Sequence, residues 1–133
     1  FRHEPLQHDG KDFRVLKILK SKSSAASNIV HCTIKNVNPI AAPSYKALSY
    51  CWGSPENPRE IFMDGKLLTV GQNLYDFLLR QVQAAGPSDW LWIDQLCIDQ
   101  SNTSERNHQV KLMGERYRNA QEVLIWLGGD REG

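Results

Sequence analysis

The sequence predicts an α/β fold: a mainly parallel sheet with flanking helices, an inserted β-hairpin and an N-terminal strand pair. Three observations predict it. Apolar residues run without interruption over Trp90-Leu91-Trp92-Ile93 and again over Val123-Leu124-Ile125-Trp126-Leu127, as in strands covered on both faces. Two segments with helical spacing alternate with these runs. Asp64-Gly65 lies between apolar flanks, the pattern of a tight hairpin turn that needs positive φ twice.

Taken in order, Phe13 to Leu19 alternates apolar and basic residues for part of its length, and Ile29 to Ile34 is β-branched. They read as a strand pair joined by a mobile loop, Ser21 to Ser27. Asn38-Pro39 and Pro43 break the chain before a core strand, 46–51, that feeds a loop at Trp52-Gly53. The hairpin Ile61 to Val70 follows. Asn73 is a good N-cap type, and Leu74, Phe77, Leu78 and Val82 share one face, so a helix is predicted over 73–84, stopping near Gly86-Pro87. A strand over 90–94 comes next. The second helix, over 104–118, has Asn102, Thr103 or Ser104 as candidate caps, and Asn102-x-x-Glu105 has the shape of a capping box. Val110, Met113, Tyr117 and Ala120 form its expected core face. A strand over 123–127 closes the β-α-β-α-β core before Gly128-Gly129.

With 133 residues the chain fits one domain, 1–133, and its first residue, Phe1 rather than Met, suggests a piece of a longer protein. Sixteen Lys and Arg against 15 Asp and Glu leave a net charge of +1, which disfavours a nucleic-acid module built on a basic surface. No apolar run reaches the roughly 18–20 residues that span a bilayer, and no signal peptide opens the chain, so a cytoplasmic location is expected. Cys32, Cys51 and Cys97 are odd in number and widely spaced, and the four histidines have no partner at metal-ligand spacing. Neither a disulfide framework nor a metal site is expected.

In an open α/β sheet, ligands bind beyond the carboxyl ends of the strands. Ser49-Tyr50-Cys51-Trp52-Gly53, the segment Asp94 to Gln100, and Gly128-Gly129-Asp130 fall there. Asp94 follows four core residues and emerges at the sheet edge, where it either caps backbone N–H groups or faces a ligand. Glu105, Arg106 and Gln109 occupy the first turns of the second helix. A glutamate in a first turn is ordinarily a partner of the helix dipole; the functional alternative has it reaching into the cleft, with Gln109 on the same face. His108 lies on another face and reads as solvated. Trp90, Trp92 and Trp126 read as core, and Trp52 as a ring free to stack on a base. There is no G-x-S-x-G, no G-x-G-x-x-G and no Walker loop. Cys97 and His108 have no local support as a catalytic pair, and a buried thiol fits Cys97 better.

Tyr45-Lys46-Ala47-Leu48-Ser49-Tyr50-Cys51-Trp52-Gly53 resembles the first signature of the fungal heterokaryon incompatibility (HET) domain, Y-x-A-L-S-Y-x-W-G. Leu91-Trp92-Ile93-Asp94-Gln95-Leu96-Cys97-Ile98-Asp99-Gln100 resembles the second, L-W-I-D-x-x-C-I-x-Q, with Asp99 where Asn is more frequent. Glu105-Arg106, Gln109-Val110, Met113, Tyr117, Ala120, Val123 and Trp126-Leu127-Gly128 continue the family pattern in order, so the likeness covers nearly the whole chain. It implies a module of fungal nonself recognition whose activation leads to programmed cell death. It also implies a larger protein with other domains, and a distant similarity to Toll/interleukin-1 receptor (TIR) domains with their flavodoxin-like sheet. Several TIR domains cleave NAD⁺ at the nicotinamide–ribose bond with a glutamate near a helix start. The resemblance therefore implies Glu105 as the catalytic residue. Ser49, Tyr50, Trp52, Gly53, Asp94, Cys97, Gln100, Arg106 and Gln109 would be the substrate-binding set. NAD⁺ or a related nucleotide would be substrate, with no tightly bound cofactor, and the active form a homo-oligomer. The alternative from another class is a non-catalytic signalling module that works by homotypic assembly.

Overall fold

In the computed structural model, residues 1–6, 10–50 and 57–127 are described. The strands are β1 (Phe13–Ile18), β2 (His31–Val37), β3 (Tyr45–Tyr50), β4 (Arg59–Met63), β5 (Lys66–Val70), β6 (Trp90–Trp92) and β7 (Glu122–Trp126). The helices are α1 (Gln72–Gln83), α2 (Asp94–Cys97) and α3 (Thr103–Arg118). All strands join one seven-stranded sheet in the order β5-β4-β2-β1-β6-β3-β7.

The β-α-β-α-β core is present: β3 lies between β6 and β7, parallel to both, and the crossovers run through α1 and α3. The class is α/β, but the sheet is mixed. The N-terminal strand pair sits in its middle, with β1 antiparallel to both β2 and β6. β2 is parallel to β4 and carries the β4–β5 hairpin on its far side. The reason is visible in β1, where Phe13, Val15, Leu16 and Ile18 are all buried, so both faces of the strand need cover.

At the hairpin, Asp64 and Gly65 have φ of 52° and 80°, the conformation of a type I′ turn. The Asp64 carboxylate also accepts from the Thr33 hydroxyl at 2.9 Å, which fixes the hairpin against β2. The segment expected to be a mobile loop is tied down. It contains a 3₁₀ turn at Lys20–Lys22, and the Ser24 and Ile29 backbones exchange two hydrogen bonds of 2.8 Å.

α1 buries Leu74, Tyr75, Phe77 and Leu78 against the sheet. Its N-cap is Gly71 rather than Asn73. Asn73 lies inside the first turn, where its side-chain oxygen accepts from the Trp126 indole N–H at 2.9 Å. β6 ends at Trp92, earlier than expected, because Ile93 already caps α2. α3 is capped by Asn102, whose side chain accepts from the Glu105 N–H at 3.0 Å.

Two corrections concern burial. On α3, Val110 is 54% exposed, while Gln109 and Arg116 are buried. These long polar side chains lie against the segment leading into β1. Gln109 donates to the Asp12 carbonyl at 3.0 Å, Arg116 donates to the Lys11 carbonyl at 2.8 Å, and the Arg116 guanidinium lies 4.2 Å from the centre of the Phe13 ring. Each satisfies a backbone acceptor that an apolar residue would leave unpaired. Met113 and Tyr117 do pack on the core, with Tyr117 edge-on to the buried Trp92. The second correction is β7, expected to be covered on both faces. Among the described residues it is the sheet's edge, and Ile125 is 71% exposed. Trp126 packs edge-on to Phe77 of α1, while Val123 and Ile125, on the opposite face by strand alternation, remain open.

Candidate functional site

The turn from β6 into α2 builds the site. Asp94 opens α2 directly beyond the carboxyl end of β6, as the sequence implied. The Gln100 amide donates to the Asp94 carbonyl at 3.0 Å, drawing the segment after α2 back over its start. Between this turn and the flank of α3 lies a cleft of about 630 Å³, lined by Asp94, Gln100, Arg106, Lys111, Val110 and Met113 among others. That volume is within the range of small-molecule sites, roughly 300–1,000 Å³. The cleft carries an acid, two cations and an apolar strip along α3.

Glu105 is elsewhere. Its carboxylate is held in a two-point ion pair by Arg14 of β1, with Nη1 donating to Oε2 at 2.7 Å and Nη2 to Oε1 at 2.9 Å. The Asp99 backbone N–H donates to Oε2 at 2.6 Å. Arg14 is 1% exposed and Glu105 10%. The same guanidinium also donates to the Cys97 carbonyl at 3.0 Å and to the Glu4 carbonyl at 2.8 Å. It thus binds the N-terminal segment, the end of α2 and the start of α3 to β1. The capping box is therefore only half made: Asn102 caps α3, but the Glu105 carboxylate is engaged by Arg14 and Asp99.

Glu105 and Gln109 do share a face of α3, and with His3, Asp99 and His108 they line a second hollow of about 370 Å³. His108 is exposed and also donates through Nε2 to the Gly10 carbonyl at 2.6 Å, and His3 donates to the Leu96 carbonyl at 2.7 Å. Asp99 accepts from the Ser101 hydroxyl at 2.7 Å and from its N–H at 3.1 Å. Burial alone would raise the Asp99 carboxyl. The two Ser101 bonds, with the charges of His3 and Arg14, bring it below its ordinary value.

Of the remaining expected residues, Tyr50 stays beside the Asp94 turn. Cys97 is buried, and that burial pushes its thiol up to about 12, so it presents no thiolate to a ligand. Tyr50, at the carboxyl end of β3, donates its hydroxyl to Gln95. Its burial, with Asp94, Tyr117 and Cys97 nearby, raises its pKa. Ser49 precedes it on the same strand. Trp52 and Gly53, with Cys51 and the cluster Gly128-Gly129-Asp130, lie outside the described residues. The structure thus brings together Asp94, Gln100 and Arg106 and separates them from Glu105 and Gln109. It adds Lys111 to the cleft and Arg14 to Glu105. Arg14 had no distinct signal in the sequence: it is one of two basic residues in β1, with Lys17, and only the structure shows that it is the buried one. Among the described residues no group of three or more His, Cys, Asp or Glu could hold a metal ion.

Residues 45–133 match the family model described as Heterokaryon incompatibility protein (HET). The chain is 33% identical over 121 residues to Heterokaryon incompatibility protein 6, OR allele, of Neurospora crassa, covering 80% of this chain and 17% of that protein. It is 31% identical over 88 residues to Vegetative incompatibility protein HET-E-1 of Podospora anserina, covering 64% of this chain and 6% of that one. The chain therefore spans a small part of the length of these relatives. No solved structure matches it. The matched segment contains both signature motifs, β3 and the whole of the Asp94 cleft, and the chain belongs to the heterokaryon incompatibility (HET) family.

Proposed function

We propose that this domain is the cell-death effector of a heterokaryon incompatibility protein and that its α2–α3 cleft takes NAD⁺ or a related nucleotide, cleaving the nicotinamide–ribose bond. The observation that carries this reading is the cleft itself, at the carboxyl end of β6, lined by Asp94 together with the cationic Arg106 and Lys111. The cations suit a pyrophosphate, and the strip of Ile98, Val110 and Met113 suits a planar base. In the reaction the C–N bond breaks and nicotinamide leaves with the electron pair as a neutral molecule. The ribose becomes an oxocarbenium ion, water adds to it, and a proton is released. A carboxylate beside the ribose stabilises that cation. Asp94 lines this cleft, whereas Glu105 lines the separate hollow and is held by Arg14 at 2.7 Å.

The test is NAD⁺ consumption by the purified protein, by Asp94→Asn and by Glu105→Gln. Loss of turnover in Asp94→Asn with a folded protein supports the assignment. Undiminished turnover in that variant removes Asp94 from the mechanism, and no turnover by wild type at any concentration removes the enzymatic reading.

The second reading, a module that signals by homotypic assembly without turnover, is favoured by the edge of β7, open and apolar among the described residues. Sedimentation velocity over a range of concentrations tests it: a species that stays monomeric throughout rejects it.

A further inference from the structure

We propose that the outer face of β1, β2, β4 and β5 is a docking surface for an acidic, amphipathic segment of a partner protein. Its carboxylates pair with Lys17 and Lys35 beside Trp90, and its apolar side chains rest on Phe62 and Leu67. Trp90 opens β6 and Asp94 lies beyond its carboxyl end, so this surface and the cleft are at opposite ends of one strand.

Strand register sets these residues on one face. Lys17 is opposite Thr33, and Lys35 and His31 lie two residues to either side of Thr33 on β2. His31 is opposite Phe62 and stacks on its ring, and Phe62 is opposite Leu67. The other face of these strands carries Leu16, Cys32, Ile61 and Met63, all buried, with α1 packed against it. On the outer face α3 reaches only the near end, where Tyr117 meets Trp92 and Arg116 meets Phe13. Beyond that end Lys35 and Leu67 are exposed, and Lys17, Phe62 and Trp90 are half-buried. Each lies in a strand whose flanking residues are also described.

The charge on this face is unbalanced. Lys17 and Lys35 hold their ammonium groups 4.5 and 4.4 Å from the centre of the same Trp90 ring. An indole face attracts a cation without neutralising it, and two cations on one ring repel each other. Elsewhere the chain sets acids against its cations: Glu105 against Arg14, and Asp89 and Glu122 against Lys46. Among the described residues no carboxylate lies within ion-pair distance of the Lys17 or Lys35 ammonium. Carboxylates of a partner satisfy both groups and relieve their repulsion. Single-stranded nucleic acid fits less well, because bases stack on a bare aromatic face and here two ammonium groups sit over the ring. Phe62 and Leu67 also offer apolar contacts that a phosphate backbone does not use.

Fluorescence anisotropy tests this with the purified chain and a labelled peptide about four helical turns long, built of glutamate and leucine at helical spacing. The peptide is expected to bind, and Lys17→Gln with Lys35→Gln to weaken it about tenfold, as two surface ion pairs are lost. Lys17→Arg with Lys35→Arg keeps both charges and is expected to bind as wild type does. Lys22→Gln, at an exposed lysine on the 3₁₀ turn, is expected to change nothing. All three alter groups at the surface and should fold as wild type by circular dichroism. Equal weakening by Lys22→Gln would reveal a general attraction to lysines and overturn the proposal, as would a peptide that does not bind. A single-stranded oligonucleotide or anionic phospholipid vesicles bound more tightly than the peptide, and lost in the same glutamine double variant, would overturn the acidic segment as the occupant.

Discussion

Replacing Arg14 with methionine is expected to unsettle the whole start of α3. The guanidinium makes four hydrogen bonds, two to the Glu105 carboxylate and one each to the Cys97 and Glu4 carbonyls, at 2.7 to 3.0 Å. Methionine keeps much of the volume and removes every donor. Glu105 would remain as a nearly buried carboxylate held only by the Asp99 N–H, and the buried Cys97 carbonyl would lose its arginine partner. Breaking one side of a buried ion pair costs about 3–5 kcal/mol. Against a total stability of about 5–15 kcal/mol for a domain, that is a large share. Urea unfolding followed by tryptophan fluorescence would show a midpoint shifted well below wild type at constant m. Removing the stranded charge as well, in Arg14→Met with Glu105→Gln, is expected to recover part of the loss, because the glutamine oxygen still accepts from Asp99. The coupling between the two positions should exceed about 1 kcal/mol. A loss under 1 kcal/mol in Arg14→Met, or strict additivity in the double variant, would refute the view that this pair ties β1 to α3.

Other outcomes follow from the same contacts. Asn102→Ala removes the side-chain cap of α3 and is expected to cost about 1 kcal/mol in the same unfolding assay, with no loss if the cap is unimportant. Burial pushes the Cys32 and Cys97 thiols up to about 12. In a Cys51→Ser background, alkylation at pH 8 should therefore be slow until the protein is unfolded, and labelling of the native protein at the rate of a free thiol would contradict the placement of both side chains. Asp99 has a lowered pKa, so its contribution is present above the unfolded carboxyl value near about 4 and is lost as pH falls through the folded value. Asp99→Asn is expected to flatten that acid limb between pH 6 and pH 3, and an unchanged slope would assign the acid sensitivity to other carboxylates.

The parts of this fold legible in the sequence are those set by local chemistry. Asp64-Gly65 adopts positive φ at both positions because a two-residue hairpin demands it. Asn102 caps α3 because its side chain reaches the N–H three residues on. The apolar face of α1 follows from spacing alone. Asp94 follows a four-residue apolar run, and its place at the mouth of a cleft follows from the end of that strand. The less legible parts depend on partners distant in sequence. Asn73 looks like a helix cap in isolation, yet Trp126, 53 positions away, takes its side-chain oxygen. Val110 has core spacing, but Gln109 beside it is buried because the Asp12 carbonyl needs a donor.

The sequence by itself determined the family, the α/β class, the order of strands and helices around the parallel core, and the position of an acid at the end of β6. These follow from periodicity, turn chemistry and two motifs, all readable within a few residues. Only the tertiary structure decided that β1 and β2 lie inside the sheet, that β7 is left as its edge, and that Arg14 holds Glu105 away from the cleft. The physical reason is that strand neighbours and buried ion pairs are chosen by which surfaces remain uncovered after every element has packed. Arg14 and Glu105 are 91 positions apart, and no local pattern carries that choice.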